Sequence, residues 1–188
     1  MNIMKRYSIL LISLFFFTVI SNIQSQEIDW DKLSCGFSIS YSFPTEKVEP
    51  FGDNTPEIGG ELQYQISENI FLSSGMHFSY FKSKAKELMP SFYYISIPLE
   101  LKILFPLAKK INIFTAGGIQ SNTLAFVGES SEVLGDNNIE SEFGVFIMMG
   151  FRTAFIGFEG LEIYTKYQTV FTSPESTNFI NIGGRFFF

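Results

Sequence analysis

The chain has 188 residues, enough for one domain, and it is 46% hydrophobic and 17% aromatic, with 23 phenylalanines. Charged residues make up only 17%, against about 25% in ordinary soluble domains, so the composition leans towards a membrane or a large apolar interior. Nineteen acids against thirteen bases give a net charge of -6, which argues against the basic face that nucleic-acid binding requires. A single cysteine, Cys35, excludes an internal disulfide, and a single histidine, His77, argues against a histidine-based metal site.

The first segment reads as an address. Lys5 and Arg6 precede the apolar run Ile9 to Ile20, and small and polar residues follow from Ser21 to Gln26. That order is a secretory signal peptide, with cleavage expected near Ser25; a retained N-terminal anchor is the other reading. The apolar run is shorter than the roughly 20 residues a membrane-spanning helix needs. The expected organisation is therefore a signal peptide over residues 1–25, a short periplasmic segment over 26–33, and one folded domain over 34–188.

The domain alternates with period two. In Ser34 to Phe43, Cys35, Phe37, Ile39, Tyr41 and Phe43 alternate with Ser34, Gly36, Ser38, Ser40 and Ser42. Successive side chains of a strand point to opposite faces, so this segment has one apolar face and one small polar face. Next, Ile58, Leu62, Tyr64 and Ile66 oppose Glu61, Gln63 and Gln65. Leu72, Met76, Phe78 and Tyr80 then oppose Ser73, His77 and Ser79, and Tyr93 to Phe105 opposes Ser96, Pro98, Glu100 and Lys102. Weaker copies cover 111–124, 140–153 and 161–171, and a last one covers 178–188. The eight segments are each of roughly the length that crosses a bilayer as a tilted strand.

The connections alternate between long and short. Long ones are expected at 44–57, 82–92 and 125–139, tight turns at 67–69, 106–110 and 156–160, and a medium loop at 172–177. This is the pattern of an all-β, eight-stranded antiparallel up-and-down transmembrane β-barrel with both termini on the short-turn rim.

Alternation alone does not say which face is outside, since a soluble lipocalin-like barrel alternates with its apolar side inward. The chain ends on Phe188, closing an amphipathic strand. Aromatics gather at strand ends: Tyr41, Phe43, Tyr80, Phe81, Tyr93, Tyr94, Phe171 and Phe179 towards one rim, and Phe105, Phe155, Phe158, Phe186 and Phe188 towards the other. Two such belts are a membrane-interface pattern. The opposite face mixes acids and bases that can neutralise one another. The apolar face is therefore expected outside.

The stretches YISIPLELKI (Tyr94–Ile103), IFTAGGIQ (Ile113–Gln120), EFGVFIMMGF (Glu142–Phe151) and the terminal NIGGRFFF resemble the small outer-membrane β-barrel family of Bacteroidota, the porin-family or PorT-like outer membrane protein β-barrel domain. The resemblance covers essentially all of Ser34–Phe188. It implies the fold and an outer-membrane location, with the lipid bilayer and lipopolysaccharide as surroundings, but no single activity. The terminal Phe186 and Phe188 resemble the signal read by the barrel-assembly machinery. Lys166 stands where the family pattern leads one to expect arginine, which keeps the sign of the charge.

Eight strands enclose a space that side chains can fill, so a broad pore is not expected. Glu61, Glu100, Lys102, Arg152, Glu162, Lys166 and Arg185 share the inner phase, and a lumen charge network is expected among them because unpaired buried charge is costly. A narrow ion path through the same charges is the alternative. A lipid-modifying enzyme would need His77 with Ser73 or Ser79 beside it; no catalytic residue, cofactor or metal ligand is assigned. Pro98 should mark a local irregularity, because proline lacks the ladder donor. Gly117-Gly118 and Gly183-Gly184 either bend strands or make room for bulky neighbours. Cys35 reads as a small hydrophobe. The acids Glu46, Glu49, Asp53, Glu129, Glu132 and Asp136 form an acidic rim without metal-ligand spacing. The function expected is a non-enzymatic structural, envelope-stabilising or interaction role, with envelope proteins as partners.

Overall fold

The structure, a computed structural model, describes residues 29–45, 53–84, 91–127, 139–155, 158–172 and 176–188. The chain divides into two units, Met1–Asp31 and Lys32–Phe188, and only residues 29–31 of the first are described. The signal peptide and its cleavage near Ser25 lie outside the described residues. A 3₁₀ turn over Trp30–Lys32 leads into eight strands: β1 (Leu33–Pro44), β2 (Thr55–Ser67), β3 (Ile70–Phe81), β4 (Ser91–Ala108), β5 (Ile111–Val127), β6 (Ile139–Phe155), β7 (Phe158–Phe171) and β8 (Thr177–Phe187).

Each strand pairs antiparallel with its sequence neighbour, and β1 pairs with β8, so the sheet closes on itself. Closure leaves no ladder edge open to the surroundings. The β1–β8 seam is sealed to the last residue: Cys35 and Phe188 exchange both backbone hydrogen bonds, at 3.1 and 2.9 Å. The tight connections 68–69 and 109–110 lie at one rim with both strand termini of the barrel, and the long connections lie at the other.

The expected turn at 106–110 is shorter than anticipated. β4 runs on through Pro106 to Ala108, with a register shift between those two residues. A bulge tolerates the missing proline N–H, so the strand continues past it. The other two register shifts, at Gln65/Ser67 and Thr153/Phe155, also sit beside tight connections. There the chain must turn within two residues.

Pro98 does not bulge. Its register with Gln120 on β5 is regular. On the β3 side the pairing stops after Ser74↔Leu99 and resumes in the same register at His77↔Ser96. The Ser74 hydroxyl donates to the Pro98 carbonyl at 2.8 Å across this gap.

The alternation sorts residues as their phase demands. Phe37, Ile39 and Tyr41 are 45%, 53% and 43% exposed, whereas Ser38, Ser40 and Ser42 beside them are buried. The outward set continues around the barrel through Ile58, Leu62, Met76, Ile97, Leu101, Ile147, Met149, Ile163 and Ile182. The aromatic belts need one correction. Tyr41, Tyr80, Tyr93 and Phe171 face outward, but Phe81, Tyr94 and Phe179 are buried inside the barrel. Adjacent residues of a strand cannot share a face, so a pair such as Tyr80-Phe81 or Tyr93-Tyr94 contributes only one member to the belt.

The bore is filled by setting small residues beside large ones. A Cβ on Gly118 would lie 2.1 Å from the Leu99 carbonyl oxygen and 2.9 Å from the Phe146 ring. On Gly183 it would meet the Ser40 Cβ at 2.4 Å. Their neighbours Gly117 and Gly184 have their nearest atoms at 3.5 and 3.3 Å. One glycine of each pair therefore makes room for what packs against it.

Candidate functional site

Among the described residues, charge concentrates in the interior. Glu57, Glu61, Glu100 and Glu162 are buried with Lys102, Arg152, Lys166 and Arg185, four carboxylates against four cations among the described residues. All seven residues expected in the lumen thus stand on the inner face. Period two puts them there, because each lies an even number of residues from another buried residue of its own strand, Arg152 from Phe146 and Met148.

Arg185 is the hub. Its guanidinium donates two parallel hydrogen bonds to Glu100, Nη1 to Oε1 and Nη2 to Oε2, both at 2.9 Å. Its Nε lies 3.2 Å from Glu61 Oε1. Lys102 donates to Glu162, and Arg152 reaches the same carboxylate at 3.3 Å and donates to the Gln63 carbonyl oxygen at 2.7 Å. Lys166 is more loosely held, its Nζ 4.0 Å from Glu57. Fork-shaped arginine–carboxylate pairs are the strong form of this contact.

Every interior cation also lies over an aromatic ring. Lys102 sits 4.9 Å from the Phe187 centroid, Arg152 4.9 Å from Phe71, Lys166 5.6 Å from Phe146, and Arg185 5.0 Å from Tyr164. Ring faces are negative, and each such contact contributes about 0.5–2 kcal/mol depending on desolvation. The apolar cluster of Phe71, Leu104, Phe114, Phe146, Met148 and Tyr164 therefore interleaves with the charges.

Two members of this interior escaped the sequence reading. Glu57, which the alternation leaves in the first long connection, is 2% exposed on β2 and accepts from Ser40 at 3.1 Å. Its phase with Glu61, four residues on, was the available signal. Phe187 is fully buried between Lys102 and Arg152, in phase with Arg185.

His77 is clamped by carboxylates. Nδ1 lies 3.2 Å from Glu57 Oε1 and Nε2 lies 2.9 Å from Glu61 Oε1. The Ser73 hydroxyl accepts from the Gln63 amide at 3.2 Å, and Ser79 is buried on the same face. Among the described residues, no group of three or more His, Cys, Asp and Glu side chains forms a metal-holding set.

Above the charges lies a neutral polar layer. The Tyr94 hydroxyl donates to Asn122 at 2.6 Å and accepts from Gln120 and Gln168 at 3.1 and 3.3 Å. Above that, Phe81, Phe92, Tyr94, Leu124, Val170 and Phe179 form a second apolar cluster at the long-connection mouth. Cys35 is exposed on the outer face at the opposite rim. Of the rim acids, only Asp53 is described, 3.5 Å from Lys84; Glu46, Glu49, Glu129, Glu132 and Asp136 lie outside the described residues.

No protein-family model matches the sequence, and no curated protein matches it. The fold has counterparts among solved structures. The crystal structure of Neisserial surface protein A is similar over 83% of this chain and 96% of its own, with a TM-score of 0.65 and 9% identity. Ail, the attachment invasion locus protein of Yersinia pestis, is similar over 83% and 97%, with a TM-score of 0.51 and 10% identity. The N-terminal β-barrel domain of Pseudomonas aeruginosa OprF is similar over 82% and 97%, again at 0.51 and 10%. At such identities the likeness is one of fold: a closed, eight-stranded antiparallel barrel of the kind these proteins build.

Proposed function

We propose that the chain is an integral outer-membrane β-barrel with a non-enzymatic, envelope-stabilising or interaction role, exported by a signal peptide cut near Ser25. The observation that carries this reading is the inversion of the barrel. Apolar side chains cover the outside while paired charges fill the inside. Soluble monomers rarely expose contiguous apolar patches beyond a few hundred Å². Hydrocarbon suits that surface, and a closed ladder is what hydrocarbon demands of a sheet. The TM-score of 0.65 to a Neisserial surface protein supports the same reading.

The membership in the Bacteroidota small-barrel, PorT-like family rests on the four stretches quoted above. In this reading the outer face meets lipid and lipopolysaccharide, the terminal Phe186 and Phe188 are read by the barrel-assembly machinery, and envelope proteins meet the long-connection rim. The carboxylates at both His77 nitrogens and the engaged Ser73 hydroxyl support a non-enzymatic role, because a nucleophile needs a free base beside it.

A narrow channel is the second reading. Ser79, Ser96 and Asn181 have buried polar atoms without a protein partner, which suits internal water. Two measurements decide. Fractionation of cells making the full chain should place the mature protein in the detergent-extracted outer membrane; recovery in the soluble periplasmic fraction would overturn the assignment. Purified protein in planar bilayers should give no reproducible conductance steps, and steady steps would make it a channel.

A further inference from the structure

The mouth at the long connections ends in a cup of about 180 Å³. Phe92, Tyr94, Leu124, Val170 and Phe179 wall it. The walls are braced from behind: Phe81 stacks on Phe92 at 5.0 Å and packs on Phe179 at 5.6 Å, while the Tyr94 hydroxyl is tied to Asn122. The cup is therefore preformed, which lowers the entropic cost of filling it. Its size suits one aromatic ring, since an apolar cavity of about 150 Å³ admits benzene.

The lip is of different chemistry. Glu140, Thr172 and Thr177 line it, with the two threonine hydroxyls 3.2 Å apart and the Glu140 side chain exposed. A carboxylate at the lip disfavours an anion there and favours a small cation. Aromatic walls add attraction for a cation near a ring face.

We infer that this cup binds a small arylalkylammonium ion, with its ring among Phe92, Leu124 and Phe179 and its ammonium group at Glu140 and the threonine hydroxyls. The site needs the barrel and its mouth, not the membrane assignment, so the two stand or fall separately.

The test is calorimetric titration of the detergent-solubilised full barrel with 2-phenylethylammonium, 3-phenylpropionate and 2-phenylethanol. The ammonium ion should bind saturably at one site, and the carboxylate about tenfold more weakly. Glu140→Gln should weaken the ammonium ion about threefold and leave the alcohol unchanged, the size expected of one exposed charge pair. Leu124→Trp, which fills the cup, should abolish binding of all three. If that variant does not fold, the exposed Glu140→Lys takes its place and should favour the carboxylate over the ammonium ion. Absence of saturable binding, equal binding of ammonium and carboxylate, or unchanged binding by folded Leu124→Trp would each overturn the inference.

Discussion

Arg185 and Glu162 are register partners on adjacent strands, yet Arg185 gives its two-pronged bond to Glu100 on the far wall. β8 and β4 stand opposite each other in the eight-strand ring, so this pair spans the bore. Its nearest approach to Glu162 is 4.0 Å, and Glu162 is taken instead by Lys102 and Arg152. The charges therefore brace the cylinder across its width rather than only along its wall.

Breaking that brace should be expensive. Arg185→Met leaves Glu100 and Glu61 buried without their main cation, a loss of about 3–5 kcal/mol. The double variant Arg185→Met, Glu100→Leu should recover a large part of it. Urea unfolding in lipid vesicles reads both; a single variant within about 0.5 kcal/mol of wild type, the scatter of surface changes, would contradict the brace.

The lysines should differ. Lys102 contacts Glu162 directly and lies over both Phe114 and Phe187, whereas Lys166 has its carboxylate at 4.0 Å. Both Lys102→Met and Lys166→Met should destabilise the barrel, by about 3 kcal/mol or more for Lys102 and about 1–2 kcal/mol for Lys166. Thermal unfolding in detergent measures the order, and an unchanged midpoint for Lys166→Met would remove it from the network.

The outer face answers to its solvent. Ile147, 62% exposed in the middle of β6, should tolerate arginine in water but not in hydrocarbon. Ile147→Arg should cost about 2–4 kcal/mol on folding into vesicles, as for arginine near a bilayer midplane. A cost near zero there would speak for an aqueous exterior.

Glycines on the two faces should respond oppositely. A Cβ on Gly75 would lie 2.4 Å from the Gly60 carbonyl oxygen, while one on Gly60 would meet nothing within 4 Å. Gly75→Val should therefore cost about 3 kcal/mol or more through overpacking and backbone displacement. Gly60→Val should be neutral or stabilising, because it relieves glycine's entropic cost in a strand. Unfolding curves of the two variants make the comparison directly.

Much of this molecule was legible in the chain itself. Ser34-Cys35-Gly36-Phe37-Ser38 already assigns each residue a face, because the side-chain period of a strand is local and needs no partner. The strand count, the long and short connections, and the inner phase of Glu61, Glu100, Lys102, Arg152, Glu162, Lys166 and Arg185 follow from the same rule. It failed where a strand outran its clearest alternation, as at Glu57, and where two adjacent aromatics were counted towards one belt, as at Tyr93-Tyr94.

What alternation could not supply was the partner across the bore. That Arg185 meets Glu100 and not Glu162, that His77 stands between Glu57 and Glu61, and that Phe92, Leu124 and Phe179 enclose a cup depend on closure and stagger, which bring together residues far apart in the chain. A strand's pattern says which way each side chain points; only the closed ring says what it finds there.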